Sequence, residues 1–464
     1  MSTQKGPAAV PGASGVVGHS EQGWPIVSVV VPYFENPQGL TRIVEALAAQ
    51  TYPGEIELVV ADDGSSPELA PRLPEDPGFP VRVVAQEDRG FRAAAARNLG
   101  AKHATGQVLA FLDGDTVPRP DYLREAVTAM AGELRALVVG TRLHADGREP
   151  DWLVDAWKQT DHLAAADDAS WRFVISAVLT CSRSFFELVG GFDETLVGYG
   201  GEDWEFAWRA WNAGARFAHA PAAIADHPEN DWGNRHDDPA RAAAEKNVES
   251  IALARRISHP MARPASVHFN TPDVAVCVPT GFTLDVGQGA RGWAPGAVIA
   301  VIADWLTHPG VHVVVDAELD RAGVAGTQHL ELFADDPRVH VNPAGPDWQE
   351  YSAQGSEQTG LLSDVEPDLT AGPLGARVWV RLLAPAAPTD LEDIYRVARI
   401  GGNALITDRS GTHLARVETR RWHAIHDDEA TVGTQSTASE RLTVLHPWTL
   451  RDEPTRLEGV FAGW

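Results

Sequence analysis

The sequence predicts an α/β fold with a largely parallel sheet, repeated in two consecutive domains. Three observations support this prediction: apolar strand-like runs alternate with helical segments, carboxylates follow several of these runs directly, and the first strand starts recur in the second half. Alternation of this kind is typical of βαβ units. The 464 residues are enough for two or three domains, each with its own core.

The first half of the chain contains the clearest elements. Strands are predicted at residues 26–32, 56–61, 81–85 and 108–112, with helices at 39–50 and 93–104. Further along, the pattern predicts a strand at 173–180, a helix from the Gly198–Phe206 block to Ala213, a strand at 216–220 and a helix at 240–257. Because ligands bind beyond the carboxyl ends of parallel strands, we expect the polar residues that follow them to line one edge.

The second half repeats the strand starts of the first. Val274–Pro279 echoes Val27–Pro32, and the strand predicted at 378–383 falls where 108–112 would be. A helix at 391–400 follows it, but Ala384–Ala386 carries neither carboxylate of the first copy. We infer an internal duplication with a degenerate second copy, although unrelated α/β domains also share such starts. The predicted boundaries are a flexible tail (1–23), a first domain (24–257), a linker (258–272) and a second domain (273–464).

Composition and charge exclude several classes of partner. A formal charge of −26 argues against nucleic acid and against anionic lipid surfaces. No apolar run approaches the ~18 residues that would span a bilayer, and two cysteines are too few for a disulfide framework. These features favour a cytoplasmic protein, and a homo-oligomer is compatible with them.

The segment Asp113-Gly114-Asp115 directly follows an apolar strand and is the most informative motif. In extended backbone, side chains two residues apart point to the same side. Two like charges held close together are costly unless a cation joins them. Mg²⁺ or Mn²⁺ would take these carboxylates together with phosphate oxygens of a substrate. A solvated turn is the alternative interpretation.

Six ordered motifs add a resemblance to this reading. They are Val-Val-Val-Pro-Tyr-Phe-Glu35, Ala-Asp-Asp-Gly-Ser65, Ala-Arg-Asn-Leu-Gly100, Leu-Asp-Gly-Asp115, Gly-Gly-Phe-Asp-Glu194 and Gly-Gly-Glu-Asp203. Together, residues ~26–235 resemble the GT-A catalytic domain of family 2 glycosyltransferases, and the Gly-Gly-Glu-Asp block also resembles galactosyltransferases. The resemblance implies a GT-A Rossmann-like domain, followed by a second, degenerate GT-A-like α/β domain.

The resemblance implies a donor site and a metal site. Asp115 is the expected metal ligand, Asp113 binds the metal or the ribose, and His227 is the expected third ligand, with His219 and His236 as competitors. The other residues expected at the nucleotide are Pro32, Tyr33, Glu35, Asp63, Arg92 and Arg97. Turn formation is the alternative role for Asp62 and Asp63, and surface salt bridges are the alternative for the two arginines.

Asp203 is the predicted general base. Transfer with inversion needs a carboxylate that takes the proton of the attacking hydroxyl, and Glu202 would then hydrogen-bond acceptor hydroxyls. The alternative is that both acids only favour the dipole of the helix that begins there. We also expect Trp204 and Trp232 to line an acceptor pocket.

These features predict a metal-dependent inverting glycosyltransferase. It would move a sugar from a UDP-sugar to a hydroxyl of a soluble acceptor, either a small natural product or a glycan intermediate, with Mn²⁺ or Mg²⁺ as cofactor. One alternative is a nucleotidyltransferase, which would want a basic Gly-rich loop where Tyr33–Pro37 stands. The other is a non-catalytic sugar-binding protein.

Overall fold

A computed structural model describes residues 23–74, 76–198, 200–228, 239–278, 296–316, 330, 332–342, 373–430, 440–444 and 448–450. The chain divides into two compact units, Met1–Ala166 with Ser170–Leu253, and Asp167–Ala169 with Ala254–Trp464. Within the described residues, no helix is long and apolar enough to cross a bilayer.

The first unit is built on one eight-stranded sheet with the order β3-β2-β1-β4-β7-β6-β8-β5. Strands β3, β2, β1 and β4 are parallel neighbours, whereas β7 is antiparallel to both β4 and β6. The elements are β1 Val27–Tyr33, α1 Pro37–Ala48, β2 Ile56–Asp62, β3 Val81–Ala85, α2 Ala93–His103, β4 Val108–Leu112, β5 Val117–Pro118, α3 Tyr122–Ala129, β6 Ala136–His144, α4 Asp151–Gln159, β7 Val178–Ser182, α5 Arg183–Val189, α6 Glu202–Asn212, β8 Arg216–His227 and α7 Pro239–Arg256.

Local sequence signals explain why these elements begin and end where they do. Helix α1 starts after Asn36, whose side chain accepts the Gly39 N–H at 2.9 Å, and Pro37 occupies its first turn. Its spacing buries Leu40, Ile43, Val44 and Leu47. Burial of each such side chain is worth roughly 1.5–3 kcal/mol.

Two predictions for this unit are wrong in detail. The strand predicted at 173–180 is a 3₁₀ turn at Ser170–Phe173 followed by β7 at Val178–Ser182. Trp171, Phe173 and Val174 are buried without pairing as a strand, so their apolar run reflects core packing. The strand predicted to end at Ala220 continues to His227.

Strand β8 reaches His227 through a bulge. Ala220 pairs with Gly140 and Ile224 with Thr141, so residues 221–223 have no counterpart on β6. Pairing then resumes and ends with His227 opposite His144. A bulge re-aims the strand that carries it, and here it brings His227 to the edge where β4 ends.

The second unit repeats the topology of the first. Its seven-stranded sheet has the order β11-β10-β9-β12-β15-β14-β16, which matches β3-β2-β1-β4-β7-β6-β8 position by position. Its elements are β9 Val274–Val278, α8 Ala297–Trp305, β10 Val311–Asp316, β11 Val339–Asn342, β12 Val378–Leu382, β13 Ala386–Pro388, α9 Glu392–Arg399, β14 Asn403–Thr407, β15 His413–Thr419, α10 Arg420–Ala430, β16 Glu440–Thr443 and β17 Trp448–Leu450. The predicted fold class, two successive α/β domains of one type, is confirmed.

Strand directions also agree between the two sheets. Strand β15 is antiparallel to β12 and β14, as β7 is to β4 and β6. The β13–β17 pair is antiparallel like β5–β8. This agreement is what the inferred duplication requires. Val378 pairs with Val274 as Val108 pairs with Val27, so Leu383 and Pro385 stand where the first unit places Asp113 and Asp115, and both carboxylates are missing.

A buried charge network lies beside the amino ends of β9 and β12 in the second unit. Arg377 donates to both carboxylate oxygens of Asp273 at 2.8 and 2.9 Å, and it also donates to Asp168. All three residues are at most 4% exposed. Residues 258 and 259, within the predicted linker, are buried as well.

Candidate active site

The turn after β4 sends its two carboxylates to different partners. Thr116 N–H donates to the Asp113 carbonyl at 2.9 Å, so residues 113–116 form a turn and the predicted extended backbone is wrong. Gly114 lies against β1, because a Cβ there would come within 2.9 Å of the Pro32 carbonyl oxygen. Asp113 contacts Arg97, and Asp115 contacts His227.

Arg97 joins two distant motifs into one site. From α2, its Nη2 donates to Asp113 Oδ1 at 2.5 Å, and its Nη1 donates to Glu202 Oε1 at 2.8 Å. Its side chain is only 4% exposed. Burial alone would lower the pKa of Arg97, but Asp113 and Glu202 outweigh burial and raise it. The surface salt bridge weighed from sequence is thus a buried bridge, and contact with nucleotide phosphates stays a prediction.

Asp203 lies in the first turn of α6, which begins after Gly200 and Gly201 with φ of +89° and +93°. One carboxylate oxygen accepts the Trp204 N–H at 2.8 Å and the other accepts the Ser176 N–H at 3.4 Å. Burial of this carboxylate and the adjacent Glu202 raise the pKa of Asp203 to about 7, although Arg97 opposes them. Its side chain still keeps partial exposure. A general base is most effective with a pKa near the working pH.

His227 is the histidine that reaches the strand-end carboxylates. Its Nε2 lies 3.2 Å from Asp115 Oδ2, the ring is buried, and Nδ1 has no hydrogen-bond partner among the described residues. His219 instead bonds Thr141 and His162 and stacks on Trp157. Burial, together with His162, lowers the pKa of His219 to about 3, so it remains a neutral core residue. His236 lies outside the described residues.

The donor set fits a divalent cation that shares its ligands with a substrate. Asp113, Asp115 and His227 offer carboxylate oxygens and an imidazole nitrogen, which are ligand types that suit Mn²⁺. Within the described part of the chain, no group of three or more His, Cys, Asp or Glu side chains is placed to hold a metal ion by itself. Open positions are expected where diphosphate oxygens and water complete the shell.

Asp63 presents a carboxylate between two hydrogen-bond donors. Gln86 Nε2 donates to its Oδ1 at 2.6 Å, and Arg92 N–H donates to its Oδ2 at 2.9 Å. The Arg92 guanidinium lies 3.5 Å from Oδ1. Gln86 was not predicted from sequence, although it directly follows β3, as Asp63 follows β2.

The other residues predicted at the nucleotide brace this edge. Tyr33 is 2% exposed and donates to the Leu69 carbonyl at 2.5 Å, so its side chain supports the loop, and its contact with the nucleotide stays a prediction. Glu35 has φ of +47°, a conformation unusual for a non-glycine residue, and its carboxylate accepts the Ser66 N–H at 3.2 Å. Asp62 accepts both the N–H and the hydroxyl of Ser65, which confirms the turn interpretation for that residue. Pro32 is partly exposed at the end of β1.

Trp204 has both ring neighbours and a cation on its face. It contacts Trp171 edge-on at 5.8 Å between ring centroids, and Lys246 Nζ lies 5.2 Å from its centroid. Lys246 and its partner Glu249 were not predicted from sequence. The other tryptophan predicted for an acceptor pocket, Trp232, lies outside the described residues.

Comparison with protein families bears out the resemblance. Residues 28–186 match the model described as glycosyl transferase family 2, and residues 165–229 match the N-terminal domain of galactosyltransferase. These two matches contain Asp113, Asp115, Asp203 and His227. The resemblance is therefore confirmed for residues 28–229.

Curated relatives match the same part of the chain. Validoxylamine A glucosyltransferase of Streptomyces hygroscopicus subsp. limoneus is 32% identical over 53% of this chain and 57% of its own length. Pre-mycofactocin glycosyltransferase of Mycobacterium tuberculosis is 31% identical over 44% of each chain. Hyaluronan synthase of Pasteurella multocida is 26% identical over 44% of this chain and 24% of its own. The chain thus spans about a quarter to just over half of these relatives.

Solved structures show a more distant likeness. S. aureus TarS 1–349 in complex with UDP-GlcNAc aligns with a TM-score of 0.39 and 17% identity, covering 50% of this chain and 67% of that one. GalNAc-T7 with UDP, GalNAc and Mn²⁺ aligns with a TM-score of 0.36 and 20% identity, covering 50% and 48%.

Proposed function

We propose that this protein is a metal-dependent inverting glycosyltransferase that moves a sugar from a UDP-sugar to a hydroxyl of a small-molecule or glycan acceptor. The observation that carries the proposal is the Arg97 bridge. The Arg97 guanidinium donates hydrogen bonds both to Asp113, on the proposed donor side, and to Glu202, on the proposed acceptor side. These two acids are 89 residues apart in the chain. Asp203 follows Glu202 directly, with a pKa of about 7.

The proposed reaction is a single displacement. The acceptor oxygen attacks the anomeric carbon while its proton passes to an oxygen of Asp203, and the bond from that carbon to the diphosphate oxygen breaks. The configuration at the anomeric carbon is inverted, and the nucleoside diphosphate leaves. Glu202 is engaged by Arg97, whose Nη1 donates to its Oε1 at 2.8 Å, so we assign the proton to Asp203. A cation held by Asp113, Asp115 and His227 would supply charge neutralisation for the departing diphosphate.

The chemistry around Asp63 supports uracil as the base. Gln86 Nε2 and the Arg92 N–H each donate to one oxygen of Asp63, and the remaining lone pairs of the carboxylate can accept a ring N–H of a base. Uracil offers such an N–H between two carbonyl oxygens, thymine shares this edge, and guanine also has a ring N–H, so the donor screen decides among them. Cytosine and adenine would instead place a ring nitrogen lone pair opposite the carboxylate, which is repulsive.

The relatives support a glycosyl transfer without deciding the acceptor. Two of them are named for validoxylamine A and pre-mycofactocin, and one is named for the polymer hyaluronan. The higher identities belong to the first two, which favours a small acceptor over a growing polymer. The cation and the acceptor remain parts of the proposal.

The nucleotidyltransferase alternative lacks support at the first strand. The loop after β1 carries Glu35 rather than basic residues, and Glu35 is engaged with Ser65 and Ser66. A non-catalytic sugar-binding role would not require a carboxylate with a pKa near 7 in the first turn of α6. Neither alternative accounts for the Arg97 bridge.

A donor screen tests the proposal. UDP-, TDP- and GDP-sugars are incubated with the full chain and Mn²⁺, and both the release of nucleoside diphosphate and the shift in melting temperature are recorded. We expect turnover with at least one UDP-sugar, loss of turnover with EDTA, and little effect from GDP-sugars. If no donor is hydrolysed and none raises the melting temperature, the proposal is wrong.

Asp203→Asn separates chemistry from binding. The variant keeps the shape of the side chain but cannot accept the proton, so transfer should fall by at least about 100-fold while the UDP-induced melting shift is retained. Asp155→Asn is the matched control, because Asp155 is exposed and pairs with Lys158 at 3.6 Å. Loss of donor binding in Asp203→Asn would mean that its role is misassigned.

A further inference from the structure

Helix α7 buries a glutamate where an apolar residue is expected. Glu249 is 8% exposed, whereas its neighbours Val248 and Ser250 are exposed. Together with Leu253, it packs on the turn that leads into α6: a Cβ on Gly200 would lie 3.0 Å from Glu249 Oε2, and one on Gly201 would lie 3.2 Å from Leu253 Cδ2. Charged residues are rarely buried unless they are paired.

Lys246 is the partner of this glutamate. Its Nζ donates to both carboxylate oxygens of Glu249, at 2.7 and 2.8 Å, one helical turn away. The same ammonium lies 5.2 Å from the centre of the Trp204 ring, within the range of a cation–π contact. The pair therefore contacts the Gly200-Gly201 turn with one side chain and the ring of Trp204 with the other.

These contacts involve residues close to Asp203 in the chain, and one of these residues also hydrogen-bonds its carboxylate. Gly201 precedes α6 in the left-handed region, and the Trp204 N–H donates to Asp203 Oδ1 at 2.8 Å. A shift of the glycine turn or of Trp204 would therefore move the carboxylate. In catalysis, a misplacement of about 1 Å can cost about 100-fold in rate.

We propose that Lys246 and Glu249 are a positioning pair that holds the Gly200-Gly201 turn and Trp204, and thereby aligns Asp203 with the acceptor hydroxyl. The inference rests on the proposed function, because it assigns a task on the acceptor side of the same site. Lys246 occupies one face of the Trp204 ring, so an acceptor sugar could stack only on the other face, and the predicted acceptor pocket at Trp204 stays a prediction.

The positioning role is tested with full-chain variants of the pair. Lys246→Met removes the charge at similar length, Lys246→Arg keeps both the ion pair and the cation–π contact, and Glu249→Met places an apolar side chain at the buried position. For Lys246→Met and Glu249→Met we expect kcat for transfer to fall about tenfold or more, with donor KM and the UDP-induced melting shift within about twofold of wild type. Lys246→Arg should retain most of kcat.

Several outcomes decide the inference. Lys158→Met is the control, because Lys158 is an exposed lysine that pairs with an acid three residues away. If Glu249→Met is folded and as active as wild type, the glutamate only fills space and the inference is overturned. A change confined to donor KM, or equal losses for Lys246→Arg and Lys246→Met, would also overturn it. A wild-type protein without donor turnover would overturn the proposed function and this inference with it, whereas unchanged variants of an active enzyme overturn the inference alone.

Discussion

Replacing Arg97 by Met should destabilise the first unit. The change leaves Glu202 and Asp113, whose side chains are 10% and 32% exposed, without their shared cation. Breaking a buried ion pair by removing one partner costs about 3–5 kcal/mol. Because Asp113 is partly screened by solvent, we expect the lower end, about 3 kcal/mol.

For a domain of this size, that loss corresponds to a fall in melting temperature of about 6–12 °C. The loss comes from the two carboxylates, which lose their hydrogen bonds to Arg97 and the charge that compensates them. A second substitution that removes one of these carboxylates should therefore return part of the loss.

The assay is thermal unfolding of wild type, Arg97→Met, and the double variant Arg97→Met/Glu202→Met. The double variant removes one orphaned charge, so it should recover at least half of the loss. Arg97→Lys should be intermediate, because a single ammonium cannot replace a guanidinium that contacts two carboxylates. A fall of less than about 2 °C for Arg97→Met, or a double variant no more stable than Arg97→Met, would refute the reasoning.

Three further predictions concern other parts of the molecule. The transfer rate should rise with pH around a midpoint near 7 as Asp203 ionises, and a flat rate profile would contradict the assignment. Because the pKa of Asp203 in the folded protein exceeds the unfolded value near 4, its ionised form opposes folding. Asp203→Asn should therefore raise the melting temperature at pH 8 and leave it unchanged below about pH 4. Gln86→Leu should weaken UDP binding about fivefold or more, measured by calorimetry, while matched affinity for wild type and variant would count against the base-recognition scheme. Arg377→Met should destabilise the second unit by about 3–5 kcal/mol in urea unfolding, and an unchanged midpoint would show that the Asp273 and Asp168 contacts contribute little.

Strands of the first half could be predicted because each is a short apolar run closed by turn residues. Strands β3 and β4 begin and end as predicted, at Val81–Ala85 and Val108–Leu112. Strand β8 was predicted too short because Pro221 lacks an N–H for the ladder and normally ends a central strand. The structure accommodates Pro221 in the bulge. The antiparallel direction of β7 was also missed, because an apolar pattern does not encode strand direction.

The candidate site was only partly predictable. Asp113, Asp115 and Asp203 stood in recognisable motifs, but Arg97 joins Asp113 to Glu202 through a contact over 105 residues, which local spacing cannot reveal. Gln86, Lys246 and Glu249 belong to no motif, and their proposed roles follow only from the residues that they contact in the folded chain. For Tyr33, the sequence match did not tell that the side chain is buried and bonds the Leu69 carbonyl.

Because of the bulge on β8, the location of His227 depends on the number of residues in segment 221–223 as much as on their types. Side chains alternate faces along a strand, so a gain or loss of one residue within 221–223 would reverse the face of every position beyond it. His227 would turn away from Asp115, and Asp226 or Pro228 would take its place in the alternation. This short stretch should therefore tolerate substitutions far better than insertions or deletions, and its length would be the quantity under selection.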